Sequence, residues 1–281
     1  MAFISPAMVL FIMFVGGPLL VAIGLAFFKW DLLTPAEFAG TNNFERLFTD
    51  ATLRRVLLNT FVFAFASVVT HVGIGMLLAL AVNRQMNKFV QYWVRTAFFF
   101  PFLVSWAAVA LLWKYVLDPS FGIFSHYLGR LGIEAPSWLL DPDWAMASII
   151  GVDWWHTIGY TFVILLAGLQ TVPRSLHEAA MVDGAGPVRR FWSVTLPCMS
   201  PTLFFAMVIT FIGAFQIFDP MFIMTKGGPG DTTRSIVMYT YQQAFQAFDV
   251  GYGAAVAIVV FLVIMLVTLL QFRLSRKWVH E

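Results

Sequence analysis

Apolar residues gather in long uncharged runs at 2–28, 56–82, 96–113, 154–173, 191–218 and 250–272, and the charged residues collect between them. Each run is long enough to cross a hydrocarbon core of ~30 Å, which takes about 20 residues of helix. The bilayer interior cannot satisfy open backbone groups, so runs of this length must be helical. The pattern predicts an all-α, polytopic membrane protein with six transmembrane helices, near 6–28, 57–82, 94–117, 147–170, 200–223 and 250–272. Residues 1–281 read as a single membrane domain with no low-complexity linker. Segments 29–57 and 118–144 look like compact caps, with Trp138 and Trp144 suited to an interface belt.

The first run lacks a basic flank, exceeds a signal-peptide core in length and has no small-residue cleavage site before Lys29, so it reads as a retained helix. Pro6 suits its first turn, and Pro18 is placed to kink it.

Composition agrees with a membrane chain. Hydrophobic residues make up 60% and charged residues 11%, where a soluble domain carries about 25% charged. Basic residues then orient the chain. Arg84, Lys88 and Arg95 lie in loop 83–95, Arg174, Arg189 and Arg190 in loop 171–200, and Arg273, Arg276 and Lys277 in the tail. Loop 118–144 carries Arg130 against Asp118, Glu134, Asp141 and Asp143. The positive-inside rule places both termini and loop 171–200 in the cytoplasm, with the chain multi-pass in its membrane. Loop 29–57, with Arg46, Arg54 and Arg55, blurs the rule. No basic tract suggests nucleic acid.

Catalytic signatures are missing. None of the five lysines follows a glycine, so a G-x-x-x-x-G-K-[ST] phosphate loop is absent. His177-Glu178-Ala179-Ala180-Met181 approaches the zinc pattern H-E-x-x-H, but Met181 replaces the second histidine. One cysteine, Cys198, excludes an internal disulfide and a cysteine metal cluster, and reads as small apolar filler. Gly227-Gly228-Pro229-Gly230 reads as a turn. No metal site and no catalytic residue is expected, and the chain is not expected to be an enzyme.

The chemistry-bearing stretch is the loop at 173–197. Pro173 ends the fourth apolar helix, and a short helix follows through Val182, with Ser175 as its N-cap and Glu178 in capping-box position. Ala179 and Ala180 are small enough to let another surface approach the backbone. Gly184 permits a sharp reversal, with Asp183 beside it. Gly186-Pro187 starts a second short helix that Phe191 and Leu196 anchor. Read from composition alone, the loop is better taken as a solvated loop with an incidental interfacial helix.

A resemblance decides between these readings. Glu178, Ala179, Ala180, Asp183, Gly184, Ala185, Phe191, Leu196 and Pro197 match, in order and spacing, the E-A-A-x-x-D-G-A pattern of ABC importer permeases. The resemblance implies that this loop is the coupling helix, between helices 4 and 5, docked in a cleft of the ATPase subunit. Glu178 would be a polar contact, Ala179 and Ala180 the close-packing face, and Gly184 the turn.

Further residues resemble the maltose, glycerol-phosphate and oligosaccharide branch. These are Asn59-Thr60, Leu166-Ala167-Gly168-Leu169-Gln170, Phe218-Asp219, Thr225-Lys226-Gly227-Gly228-Pro229, Thr233, Tyr239, Tyr241, Ala244-Phe245 and Gly251. Lys226 departs from the branch, whose members usually have glycine there. The resemblance implies a second, homologous permease, two copies of an ABC ATPase and an extracytoplasmic solute-binding protein, with lipid around them. ATP and Mg would be bound by the ATPase subunits, and this chain would hold no cofactor. ATP-driven closure of the ATPases would move the coupling helices and reorient a path for a sugar or sugar-like solute.

Polar side chains at membrane depth usually face protein or a watery cavity. Asp153, His156, Tyr160, Gln216 and Asp219 are the substrate-path candidates. Asn59 and His71 are assigned to helix–helix hydrogen bonds, worth ~0.6 kcal/mol each on average. Trp154, Trp155 and Phe215 add aromatic surface. No Arg sits deep in the helices, which favours a neutral glycan over an anionic solute. The rivals are an ion-coupled secondary transporter, expected to show inverted repeats and helices broken near the midplane, and a structural membrane protein.

Overall fold

A computed structural model describes residues 4–83 and 87–279. Arg84 therefore lies outside the described residues. The elements in chain order begin with α1 (Ser5–Leu25), the pair β1 (Phe28–Lys29) and β2 (Glu37–Phe38), α2 (Asn42–Thr49) and α3 (Ala51–Val82). Then come α4 (Lys88–Phe99), α5 (Trp106–Val116), α6 (Ile123–Arg130), α7 (Pro142–Thr171) and α8 (Arg174–Val182). Last are α9 (Pro187–Cys198), α10 (Ser200–Phe215), α11 (Ile236–Tyr241) and α12 (Val250–Ser275).

The all-α membrane architecture is as the hydropathy pattern predicts. Among the described residues four helices, α1, α3, α7 and α12, are long and apolar enough to span a bilayer unaided. The other two apolar runs are bent pairs, which corrects the expectation of continuous helices at 94–117 and 200–223. Lys88–Leu103 meets α5 at 100°, and α9 meets α10 at 70°. At the first bend Pro101 opens a 3-10 turn, Phe100–Leu103. Val104 and Ser105 then turn extended, with ψ of 141° and 136°. Pro lacks the N–H a continuous helix needs at that point. The fifth apolar run stops at Phe215, and its chain resumes as a π turn at Met221–Thr225.

The first helix ends at Leu25 rather than residue 28, because Phe28 and Lys29 pair antiparallel with Phe38 and Glu37. On the N-terminal side of Pro18 the helix widens into a π turn at Ile12–Gly16. The second begins earlier than predicted. Asp50 caps α3 by accepting from the Thr52 and Leu53 N–H groups, so the helix runs for 32 residues.

The core is built on α3, α7 and α10. One apolar cluster, around Phe63, Ile149, Phe215 and Tyr252, fills the end of the bundle near Asp50. A second, around Met76, Phe162, Leu165 and Met199, fills the opposite end. Close approach is needed where α7 passes the 3-10 turn: a Cβ at Gly159 would overlap the Phe98 carbonyl oxygen. Helix α1 contributes no buried side chain.

Candidate functional site

Two regions carry the polar chemistry, one inside the bundle and one at its far end. The inner one is a cavity of about 230 Å³ among α3, α7, α10 and the break before α5. Asp153 is buried in its wall and accepts from the Ser67 hydroxyl at 2.8 Å. His71 Nδ1 stands 2.6 Å from the Ser67 carbonyl, so Nδ1 carries the proton and donates. His71 Nε2 lies 2.5 Å from Thr157 Oγ1 and 3.8 Å from the Asp153 carboxylate. The opposing wall is aromatic: Phe102 stacks on Tyr160, their centroids 5.0 Å apart, beside Trp106. The cavity thus pairs a hydroxyl–carboxylate network with ring faces.

Of the path candidates, Asp153 and Tyr160 line this cavity. His156 stands behind it: Nε2 is 3.0 Å from the Val104 carbonyl, and the ring packs 4.1 Å from that of Trp106. It thereby holds the helix break in place. Gln216 and Asp219 are exposed at the break that follows α10. His71, assigned to helix–helix bonding, makes that bond and also lines the cavity. Sequence reasoning missed Ser67, Thr157 and Thr210, because a hydroxyl in an apolar run resembles a residue that bonds its own helix backbone.

Asn59 serves the loop between α10 and α11 instead of a neighbouring helix. Its amide donates to the Asp231 carbonyl at 2.6 Å, and Thr60 Oγ1 accepts from the Ile236 N–H at 2.9 Å. Lys226 adopts φ +52°, the left-handed region that favours glycine. The departure at Lys226 therefore keeps the glycine-type backbone.

At the other end, α8 projects with Glu178 and Ala179 exposed and Ala180 half-buried. Its C-terminus closes as a Schellman motif: the Ala185 N–H donates to the Ala180 carbonyl at 2.9 Å and the Gly184 N–H to Met181 at 3.0 Å. Gly184 sits at φ +75°, as its role in the turn requires. At the start of the helix, however, the cap residue is Pro173, with no side-chain cap bond, which corrects Ser175 as N-cap. Phe191, Leu196 and Cys198 pack against the inner apolar cluster and anchor the loop. Met181, Val182 and Val188 leave apolar surface exposed around it.

This fold is that of membrane permeases from solute-uptake systems. A family model described as binding-protein-dependent transport system inner membrane component matches residues 71–280. The chain is 34% identical over 275 residues to the sulfoquinovosyl glycerol transport system permease protein SmoG of Agrobacterium fabrum, covering 97% of this chain and 89% of that one. It is 32% identical over 281 residues to the sn-glycerol-3-phosphate transport system permease protein UgpA of Brucella abortus, covering 99% and 94%. Its structure is similar to a bacterial ABC transporter involved in the import of the acidic polysaccharide alginate, with a TM-score of 0.86 at 25% identity, covering 98% and 94%.

The chain belongs to the binding-protein-dependent transport system inner membrane component family. It is a multi-pass inner-membrane permease subunit of an ABC importer, a non-catalytic component that works with an ATPase and a binding protein. The broken helices that the sequence reading associated with secondary transporters thus occur here within an ABC permease.

Proposed function

We propose that the chain crosses the membrane six times, with each bent pair counting as one span, and keeps both termini and α8 in the cytoplasm. It assembles with a second, homologous permease, two ATPase subunits that hold ATP and Mg, and an extracytoplasmic solute-binding protein. Glu178, Ala179, Ala180, Asp183, Gly184 and Ala185 form the coupling helix and its turn. The observation that carries this reading is the exposed, Schellman-closed α8, presenting small residues outward from an anchored base.

The solute is a neutral sugar or glycan, and this chain supplies half its path. Asp153, with Ser67 and Thr157, offers hydrogen-bond partners to hydroxyls, while Phe102 and Tyr160 offer ring faces. No Arg or Lys lines the cavity, so a phosphate or uronate would meet a carboxylate with no cation beside it. A volume of about 230 Å³ is below the ~300 Å³ at which enclosed ligand pockets start, in keeping with a site completed by the second permease. His156 positions the wall, and Gln216 and Asp219 form the rim.

The test is purification of the tagged chain in mild detergent from its native host, with co-purifying subunits identified by mass spectrometry. A second permease bearing the same loop and an ATPase are expected. Recovery of the chain alone would overturn the assembly and with it the coupling role.

A further inference from the structure

Beneath the α8 loop lies a second cavity, of about 900 Å³, whose cations the proposed transport role leaves unused. Among the described residues four cations line it, Lys88 and Arg95 of α4, Arg174 of α8 and Arg190 of α9, with Glu178 the one carboxylate in the wall. Among the described residues, none of the four forms an ion pair with a carboxylate. The Nε atoms of Arg95 and Arg190 are buried and have no hydrogen-bond partner among those residues. Both side chains are half-buried, and an N–H withdrawn from water without a partner is costly, a cost that an anion at the same spot offsets. Its planar fork fits a phosphate with two parallel bonds.

A second observation says what kind of anion. Helix α4 turns Lys88, Gln91 and Arg95 to the cavity. Its Phe89, Tyr92 and Trp93 are exposed by 67%, 64% and 54%. Tyr and Trp in such positions mark the membrane–water interface. One helix therefore presents cations on one side and an interfacial aromatic face on the other, the arrangement that suits a molecule with a phosphate head and apolar tails.

We propose that this cavity binds the phosphate of an anionic membrane phospholipid, whose chains run along Phe89, Tyr92 and Trp93. The head group would tie α4 to the starts of α8 and α9, bracing the docking loop. Placing that loop at the inner leaflet rests on the orientation given above.

The assembled importer in phosphatidylcholine nanodiscs, with and without phosphatidylglycerol, provides the test. Phenylglyoxal labelling of Arg95 and Arg190 is read by mass spectrometry, and bound lipid by native mass spectrometry. Phosphatidylglycerol is expected to protect both arginines and to be retained over phosphatidylcholine. Retention should weaken about fivefold for each arginine replaced in Arg95→Gln and Arg190→Gln. The Lys replacements should keep most of it. Lys88→Gln, at an exposed position, gives the same readout should the arginine variants fail to assemble.

Equal lipid retention by wild type and variants overturns the proposal. Protection by inorganic phosphate alone reassigns the cavity to a soluble anion and overturns the lipid assignment. Full protection in phosphatidylcholine whenever the ATPase is present assigns it to an acidic protein surface, with the same consequence. Labelling the permease without its partners separates these failures from failure of assembly.

Discussion

The Tyr252 hydroxyl donates to Asp50 Oδ2 at 2.5 Å, joining residues 202 positions apart. Tyr239 donates to the same oxygen at 2.5 Å, while Oδ1 accepts from the Thr52 and Leu53 N–H groups. One carboxylate thus caps α3 and holds α11 and α12 to it. Arg46 reinforces the knot, lying 3.8 Å from the centre of the Tyr252 ring and pairing with Asp249.

Replacing Asp50 should loosen this end of the bundle. Hydrogen bonds to charged groups contribute about 1.5–3 kcal/mol each, and partial exposure reduces their sum. Asp50→Ala is therefore expected to cost about 2–3 kcal/mol, read as a lowered unfolding temperature of the detergent-solubilised protein.

The same carboxylate gives a pH dependence with a defined sign. Burial pushes the Asp50 carboxyl up, but the Tyr239 and Tyr252 hydroxyls and the two backbone N–H groups more than offset it, so it titrates below its usual 3.8. Its contribution is complete above 3.8 and is lost as pH falls through the lower, folded value. Burial and the Asp50 bond push the Tyr239 phenol up to about 12, so it remains a donor at neutral pH. Asp50→Asn should remove this acid-side loss. Parallel acid unfolding curves for variant and wild type would contradict the assignment.

Gly184→Val should block coupling while leaving insertion intact. No atom lies within 4 Å of a Cβ there, so the penalty is backbone strain at φ +75°, about 1–2 kcal/mol. Gly184→Asn, whose side chain tolerates that conformation, should retain more uptake. Normal uptake by Gly184→Val in reconstituted vesicles would remove the loop from the mechanism. Glu178→Ala, exposed on α8, should weaken ATPase assembly more mildly.

Asp153→Asn and Asp219→Ala probe two depths of the path. Asp153 is buried and bonded to Ser67, so its change should alter both apparent solute affinity and unfolding temperature. Asp219 is exposed, so its change should alter affinity alone and leave ATPase docking untouched. Unchanged transport kinetics would assign Asp219 a structural role.

Gly159→Ala should destabilise the bundle by about 1–3 kcal/mol through overpacking. The added methyl meets the Phe98 carbonyl and the Phe99 backbone, which cannot move aside as a flexible side chain would. Reduced folded yield in detergent is the measurement.

Much of the fold was legible from apolar run lengths, because bilayer thickness sets helix length directly. The breaks were not, since Phe100-Pro101-Phe102-Leu103-Val104 is apolar throughout and run length does not register a bend. Pro101 was the available signal. The turn after α8 was legible because Gly184 and its neighbours encode it by local chemistry. The cavity was only half legible. Asp153 and Tyr160 stand out in an apolar run, whereas Ser67 and Thr157 gain their role from a helix 86 residues away, as the Ser67–Asp153 and His71–Thr157 bonds illustrate. Asp50 went unnoticed because acids carry little weight in orienting a membrane chain.

Helix α1 has no buried side chain anywhere along Ser5–Leu25, and both large apolar clusters are complete without it. It touches the bundle where Leu25 packs beside Ala254 and Ala255 of α12, and its removal would leave most of the interior packing untouched. A truncated chain lacking that segment would thus separate two properties usually lost together: whether the bundle folds, and whether it finds its neighbours.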